Sequence, residues 1–129
     1  MSLNDQLSNV MSHILNCEKK GIQICIVKGS KLIKNCLSIL KEKDYIEDFK
    51  INQTTKGESI EIKLKGTINK CGVIKPRFPV KIDNFEKYEK RFLPAKDFGI
   101  LIISTPKGLM THNEAFSKKI GGKLIAYCY

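Results

Sequence analysis

The spacing of the apolar residues changes along this chain, and this change constrains the fold more than any other feature. Over the first twenty residues the apolar side chains recur at helical intervals: Leu7, Val10, Met11, Ile14 and Leu15. Further along, apolar residues alternate with polar ones, as in a strand with one buried face. In the second half, glycine and proline interrupt short apolar stretches. The chain is therefore expected to combine short helices with short strands in an α/β (α+β) fold.

The first half of the chain predicts the order helix, strand, helix and hairpin. Asn4 is a candidate N-cap for a helix over residues 5–20, and a β-branched strand is expected over residues 22–27. Ser30 is a candidate N-cap for a second helix. The apolar face of that helix would be formed by Ile33, Cys36, Leu37 and Leu40. Two antiparallel strands should follow, joined by a turn over residues 54–57.

From Gly66 onward the sequence predicts a mostly β part with short helices. Strands over residues 68–82 should be broken or lie at an edge, because glycine and two prolines interrupt them. Thr111 and Glu114 have the spacing of a capping box at the start of a helix. The remaining elements are a helical segment, a buried strand, that capped helix and a final strand, expected over residues 83–91, 99–104, 112–118 and 123–129.

Charge separates the two halves. The chain carries 23 Lys and Arg against 13 Asp and Glu, a formal net charge of +10. Residues 1–65, the N-terminal α/β subdomain, hold 11 basic and 8 acidic side chains, whereas residues 66–129, the β-rich subdomain, hold 12 and 5. We therefore place a domain boundary near residue 65 and expect the second subdomain to meet an anionic partner. No secretory signal and no membrane span are visible, so a cytoplasmic location is expected.

Cysteine and histidine spacing does not indicate a metal site or a disulfide. The five cysteines, at positions 17, 25, 36, 71 and 128, form no Cys-x-x-Cys pair, and His13 and His112 are far apart in sequence. Reduced and mostly buried thiols are expected in a cytosolic chain. The sequence thus predicts no metal, no cofactor and no disulfide.

Familiar catalytic patterns are missing, which predicts a protein that is not an enzyme. The string from Gly121 to Lys123 superficially suggests a phosphate cradle, but it opens a strand instead of a helix. His112 stands at the first position of a capped helix, where a solvated surface residue is expected. An enzyme that uses Cys71 or Cys128 as nucleophile remains an alternative, and would require an activated thiol.

The segment from Ser104 to Thr111 follows the buried strand and should form an exposed turn. It offers hydroxyls, a glycine and a lysine. Short hydroxyl side chains and unhindered backbone amides suit the shallow minor groove of A-form RNA, where base edges and 2′-hydroxyls are accessible. Composition alone also fits an ordinary polar turn.

Several strings resemble one known family. They are INKCGVIKPRF over residues 68–78, RFLPAKDFG over 91–99, STPKGLMT over 104–111 and GGKLIAY over 121–127. In this order and spacing they resemble the universal small-subunit ribosomal protein eight family, over essentially the whole chain. The first string is similar to the archaeal and eukaryotic cytosolic branch.

The resemblance implies two small α/β parts that bind a helix in the central domain of small-subunit ribosomal RNA and act early in assembly. It implies neighbouring small-subunit ribosomal proteins as further partners, no membrane contact and a monomer when free. The alternative function is that of a regulator that binds a messenger RNA through the same surface. The implied RNA-contacting residues are Ser104, Thr105, Lys107 and Gly108 in the turn, Gly121, Gly122 and Lys123 in the double-glycine loop, Asn4, Ser30 and Lys31 near the amino terminus, and Lys70 and Lys75.

Three positions depart from the family pattern. Pro106 stands where the family commonly has Ser or Thr, so the turn lacks one hydroxyl and one amide donor. Lys123 stands where bacterial members carry Glu, which favours a phosphate contact at this position. The segment of residues 28–30 lacks the proline that is usual before the second helix.

Overall fold

The computed structural model describes residues 3–55, 57–74, 77–95 and 98–129. Its contacts cluster into two compact units, which we call unit 1 (Met1–Lys70) and unit 2 (Cys71–Tyr129). Each unit combines an antiparallel sheet with helices, which confirms the predicted α+β class. The boundary between the units lies slightly after the position near residue 65 that the sequence indicated.

Unit 1 follows the predicted order of helix, strand, helix and hairpin. Its elements are α1 (Leu3–Lys20), β1 (Ile24–Lys28), α2 (Lys31–Glu42), β2 (Ile46–Thr54) and β3 (Gly57–Leu64). The three strands form an antiparallel sheet in the order β1-β3-β2. Helix α1 begins at Leu3, so Asn4 lies within its first turn and the prediction of Asn4 as N-cap is wrong.

Helix α2 is where sequence and structure agree most closely. The Ser30 hydroxyl accepts a hydrogen bond from the backbone N–H of Ile33 at 3.3 Å, as the predicted N-cap requires. All four residues of the predicted apolar face are buried. Helix α2 packs against α1 and β2, and alternate positions of β1 and β3 are also buried: Cys25, Val27, Ile60, Ile62 and Leu64. Helical and strand periodicity therefore place apolar side chains in one core.

Hydrogen bonds connect the segment after β3 to the rest of unit 1. Glu18, near the end of α1, accepts hydrogen bonds from the backbone N–H groups of Gly66 at 3.2 Å and Ile68 at 3.1 Å. Thr67 also donates its hydroxyl to the carbonyl of Tyr45 at 3.1 Å. These contacts join residues far apart in sequence, which is why the change in sequence texture at Gly66 does not coincide with the boundary between the units.

Unit 2 contains a larger sheet and two short helices. Its elements are β4 (Cys71–Val73), β5 (Pro79–Val80), a 3-10 turn (Ile82–Asn84), α3 (Phe85–Phe92), β6 (Ile100–Thr105), β7 (Gly108–Thr111), α4 (His112–Ser117) and β8 (Gly122–Cys128). The antiparallel strand order is β4-β8-β6-β7, and β5 also pairs with β8. The predicted broken strands before residue 82 are confirmed, since β4 and β5 are both very short.

Strand β7 is an element that the sequence did not reveal. The segment from Ser104 to Thr111 was expected to be a turn, but only the two residues between β6 and β7 connect the strands. Met110 is buried in the unit 2 core, and Thr111 accepts a hydrogen bond from the N–H of Glu114 as the predicted cap of α4. A four-residue strand is too short to show its alternation in sequence.

The prediction that His112 is a solvated surface residue is wrong. Its side chain is 3% exposed and links α4 to β6 and α3. The N–H of Leu101 donates to His112 Nδ1 at 3.1 Å, and His112 Nε2 lies 2.7 Å from Oε2 of Glu89, which is also buried. Because Nδ1 accepts, the ring proton is on Nε2, which donates to the carboxylate. The pair anchors the start of α4 within unit 2.

Candidate nucleic-acid interface

The hairpin between β6 and β7 carries the predicted RNA-contacting turn. Thr105 and Gly108 face each other across the hairpin, with Pro106 and Lys107 between them. The Thr105 hydroxyl donates to the carbonyl of Gly108 at 2.7 Å and accepts from the N–H of Lys107 at 3.2 Å. Gly108 has φ +112°, a conformation that side chains rarely adopt. The threonine and the glycine therefore fix the shape of this turn.

These hydrogen bonds divide the predicted residues into two groups. Ser104, Pro106, Lys107 and Gly108 are exposed and available to a partner. Thr105 is only 8% exposed, and both of its hydroxyl hydrogen bonds are internal to the turn. Thr105 thus positions the exposed residues of the turn, whereas the sequence had suggested a freely presented hydroxyl.

The double-glycine loop lies against the same end of the sheet. A Cβ atom on Gly122 would stand 2.2 Å from the carbonyl oxygen of Ser104, and one on Gly121 would stand 2.6 Å from that of Val80. Only glycine permits such close approach of one backbone to another. The register of β8 on β6 then places Lys123 directly opposite Ser104. The fold thereby brings the predicted turn and the predicted loop together.

We call this group of residues, Ser104 to Gly108 together with Gly121 to Lys123, the hairpin end of unit 2. Lys107 and Lys123 are both exposed, and neither forms an ion pair with another residue that the structure describes. Lys118, in contrast, approaches Glu114 at 3.7 Å one helical turn away. The hairpin end therefore presents two uncompensated cations beside an exposed serine hydroxyl and exposed glycine backbone, which is a surface suited to phosphate and sugar groups.

The other predicted site residues are not part of the hairpin end. Lys31 is exposed at the start of α2 and Lys70 is exposed at the end of unit 1. The hydroxyl of Ser30 is occupied by capping α2. The side chain of Asn4 and the whole of Lys75 lie outside the described residues.

The aromatic residues of unit 2 mostly line its core. Phe85 is buried, and a partly buried aromatic layer packs against the same core: Phe78, Tyr88, Phe92, Tyr127 and Tyr129. Phe98, in contrast, is 50% exposed. Arg91 had carboxylate neighbours in sequence, but its guanidinium carbon lies 5.1 Å above the ring centre of Phe78 and 5.5 Å from that of Phe92.

All five thiols are buried, which confirms the expected burial. Cys71 and Cys128 are partners across the β4–β8 ladder within unit 2. A buried thiol has little access to a substrate, so neither residue has the partly exposed setting of a cysteine nucleophile.

Three potential metal ligands converge in unit 1, although sequence spacing gave no sign of them. The donor atoms of His13, Cys17 and Cys25 all lie within 4.8 Å of one another. Burial raises the pKa of the Cys25 thiol to about 12, and the adjacent Cys17 thiol adds to this increase. Sequence spacing did not reveal this cluster because Cys25 lies on β1, and only folding brings it close to His13 and Cys17 on α1.

Unit 1 contains a hairpin with the same sequence pattern as the hairpin end. Residues 54–57 read Thr-Thr-Lys-Gly and residues 105–108 read Thr-Pro-Lys-Gly. The Thr54 hydroxyl donates to the carbonyl of Gly57 at 2.7 Å, and Gly57 has φ +120°. Both hairpins therefore close in the same way, and the chain offers an internal control for the predicted RNA-contacting turn.

Two small α+β units, with a cationic hairpin end built from backbone and short polar side chains, are typical of a nucleic-acid-binding protein. The family model for ribosomal protein S8 matches residues 5–129, nearly the whole chain, and the chain belongs to that family. It is therefore a ribosomal protein of the small subunit, which binds ribosomal RNA and serves translation at the cytoplasmic ribosome. The family is structural and non-enzymatic. This match confirms the resemblance that the sequence strings indicated.

Among the helices within the described residues, none combines the length and the apolar character needed to cross a membrane.

Proposed function

We propose that the hairpin end of unit 2 is the main contact with ribosomal RNA, and that the bound element is a helix in the central domain of the small-subunit RNA. The observation that carries this proposal is the placement of Lys123 opposite Ser104, beside the exposed turn that contains Lys107. The two lysines would neutralise phosphates, and Ser104 with the backbone of Gly108 would meet the minor groove. Affinity and specificity would then come from different residues.

Binding at this position would let the protein support early assembly of the subunit, because it would hold one RNA helix before other proteins join. We further propose that the chain is of the archaeal and eukaryotic type, that it is a monomer when free, and that Lys31, Lys70 and Lys75 add peripheral phosphate contacts. Its neighbours on the ribosome would be other small-subunit proteins.

A nuclease footprint of the protein on small-subunit RNA tests the RNA element directly. We expect protection of one helix in the central domain. Protection confined to another domain, or none at moderate ionic strength, would contradict the proposal.

The residues are tested by the salt dependence of binding to the protected fragment. Lys107→Gln and Lys123→Gln should each weaken binding to every RNA and lower the slope of log affinity against log salt by about one. Lys56→Gln, at the equivalent position of the unit 1 hairpin, is the matched control and should leave the slope unchanged. An unaltered slope in these two variants would contradict a role of Lys107 and Lys123 in phosphate binding.

Regulation of a messenger RNA is a second candidate, because a similar RNA helix would fit the same surface. Competition between a messenger fragment and the ribosomal fragment for the hairpin end would support it.

A further inference from the structure

We propose that His13, Cys17 and Cys25 of unit 1 form a binding site for Zn²⁺. This site is separate from the hairpin end and does not depend on the proposed RNA contact. The first observation is the convergence of one imidazole and two thiol donors within 4.8 Å of one another. Imidazole and thiolate are the ligands that zinc prefers in proteins.

The arrangement follows from two regular elements. His13 and Cys17 are four residues apart on α1, so their side chains lie on one face of the helix, one turn apart. Cys25 occupies an inward-facing position of β1, the strand on which α1 packs. Helix and strand geometry thus hold the three donors without any local Cys-x-x-Cys pattern.

The size of the cluster suits a single ion after a small contraction. Zinc–sulfur bonds of about 2.3 Å and zinc–nitrogen bonds of about 2.0–2.1 Å place tetrahedral ligand atoms roughly 3.5–3.8 Å apart. The donors therefore need to close by about 1 Å, which changes of side-chain rotamer can supply. Both thiols would bind as thiolates and release their protons to solvent, and the charge of the ion would stabilise the two thiolates.

An ion can reach this position from solvent. His13 is exposed and lines a cleft of about 350 Å³ together with Val10 on α1 and Val27 on β1. Of the three ligands, only His13 lines this cleft, and a site with three protein ligands leaves a fourth coordination position for water. A bound ion would fasten α1 to β1 and so stabilise unit 1.

Cobalt is the probe for this site, because Co²⁺ replaces Zn²⁺ in tetrahedral sites and its thiolate complexes absorb in the near ultraviolet. The full chain, freed of metal and kept reduced, is titrated with Co²⁺ and then with Zn²⁺. We expect a thiolate-to-cobalt absorption that saturates at about one equivalent, disappears when Zn²⁺ is added, and accompanies a rise in the thermal midpoint. Absence of this absorption in the wild-type chain would overturn the proposal.

Variants decide whether these three residues hold the ion. Cys25→Ser should abolish the absorption, whereas Cys71→Ser, which removes a buried thiol of unit 2, should leave it intact. Since Cys25→Ser could disturb the core, His13→Gln serves as the second variant, because an exposed side chain can be replaced without unfolding the chain. His13→Gln should weaken Co²⁺ binding at least about tenfold, and Ser12→Ala on the same helix should not. Unchanged affinity in His13→Gln, or absorption that survives Cys25→Ser, would refute the three-ligand site.

Discussion

The two hairpins of this protein share a four-residue pattern and a turn geometry, yet their surroundings differ in charge. In each, a threonine hydroxyl donates to the carbonyl of a glycine three residues later at 2.7 Å, and that glycine has a positive φ. The hairpin of residues 54–57 is followed by Glu58, which is paired with Lys34 and accepts from Gln53. The hairpin of residues 105–108 stands beside Lys123, which has no ion-pair partner among the described residues.

This comparison teaches that local sequence decides the turn, while the neighbouring strand decides what the turn can bind. Beside the first hairpin, β1 ends at Lys28, and the N–H of the next residue, Gly29, donates to the carbonyl of Glu58. Beside the second, β8 begins at Gly122 and brings in Lys123. The first hairpin is followed by a carboxylate that is paired with Lys34, whereas Lys107 and Lys123 at the second have no ion-pair partner among the described residues, which favours an anionic partner there.

The interiors of the two units differ in their content of buried polar side chains. The buried polar side chains of the described residues all belong to unit 2: Glu89, Thr105, Thr111 and His112. Each of them supports the hairpin end or the helix that follows it, through hydrogen bonds to the turn, to β6 or to α4. The shape of the proposed RNA-contacting surface therefore depends on directed polar contacts, whereas unit 1 depends mainly on apolar packing.

The largest expected effect tests this dependence on buried polar contacts. His112→Ala leaves the Glu89 carboxylate buried without its partner and removes the acceptor for the Leu101 N–H, so it should destabilise the protein by about 3–5 kcal/mol. The measurement is the free energy of unfolding in urea. His13→Ala in metal-free buffer is the exposed control in unit 1 and should change it by less than about 0.5 kcal/mol. Similar losses in both variants would remove the contrast between the units.

A second prediction concerns the strand that lies beside each hairpin. In Gly122→Ala the new Cβ would collide with backbone, the Ser104 carbonyl oxygen, so β8 must shift on β6, at a cost of about 3 kcal/mol. In Gly29→Ala the nearest atoms belong to the side chains of Glu58 and Ile60 and lie at 3.1–3.3 Å, so a shift of a few tenths of an ångström suffices and less than about 1 kcal/mol is expected. Urea unfolding measures both, and Gly122→Ala should also weaken RNA binding. Equal losses of unfolding free energy in the two variants would contradict the expected difference in backbone packing at Gly122 and Gly29.

The threonines of the two turns separate structure from recognition. Thr54→Val removes one hydrogen bond to glycine and should cost about 1 kcal/mol of stability, whereas Thr105→Val also removes the bond from the Lys107 N–H and should cost about 2 kcal/mol. Only Thr105→Val should reduce discrimination between the ribosomal RNA helix and an unrelated duplex, since only that turn is proposed to read RNA. Parallel binding titrations on both RNAs supply the measurement, and equal losses on the two RNAs would contradict a role in specificity.

The smallest expected effect lies in the charge environment of the first hairpin. Hydrogen bonds from Lys34 and then Gln53 hold the pKa of Glu58 below its ordinary value. The ionised carboxylate is therefore favoured in the folded state, and its small contribution to stability is present above the unfolded pKa and lost as pH falls through the folded value. Lys34→Gln should return the pKa of Glu58 toward the ordinary value in an NMR titration of the carboxyl carbon. Gln53→Ala, which removes the lesser cause, should shift it less, and the reverse order would contradict this assignment.

Much of the fold could be predicted from the sequence, because periodicity and caps are local. Ser30 and Thr111 cap the helices that their spacing predicts, and the alternation over residues 60–64 gives the buried face of β3. Strand β7 and the burial of His112 could not be predicted, since both depend on partners distant in sequence. The turn and the loop of the candidate site were both singled out from the sequence, but their meeting at Ser104 and Lys123 could be seen only from the strand register.

The order of the elements in unit 1, the excess of positive charge in the second half and the family were determined by the sequence itself, because each rests on neighbouring residues or on simple counts. Tertiary structure decided which charges stay unpaired, which hydroxyl turns inward and which thiols meet a histidine. Those outcomes depend on approach between strands and helices far apart along the chain, within a few ångströms, and such distances are set by packing and backbone hydrogen bonds.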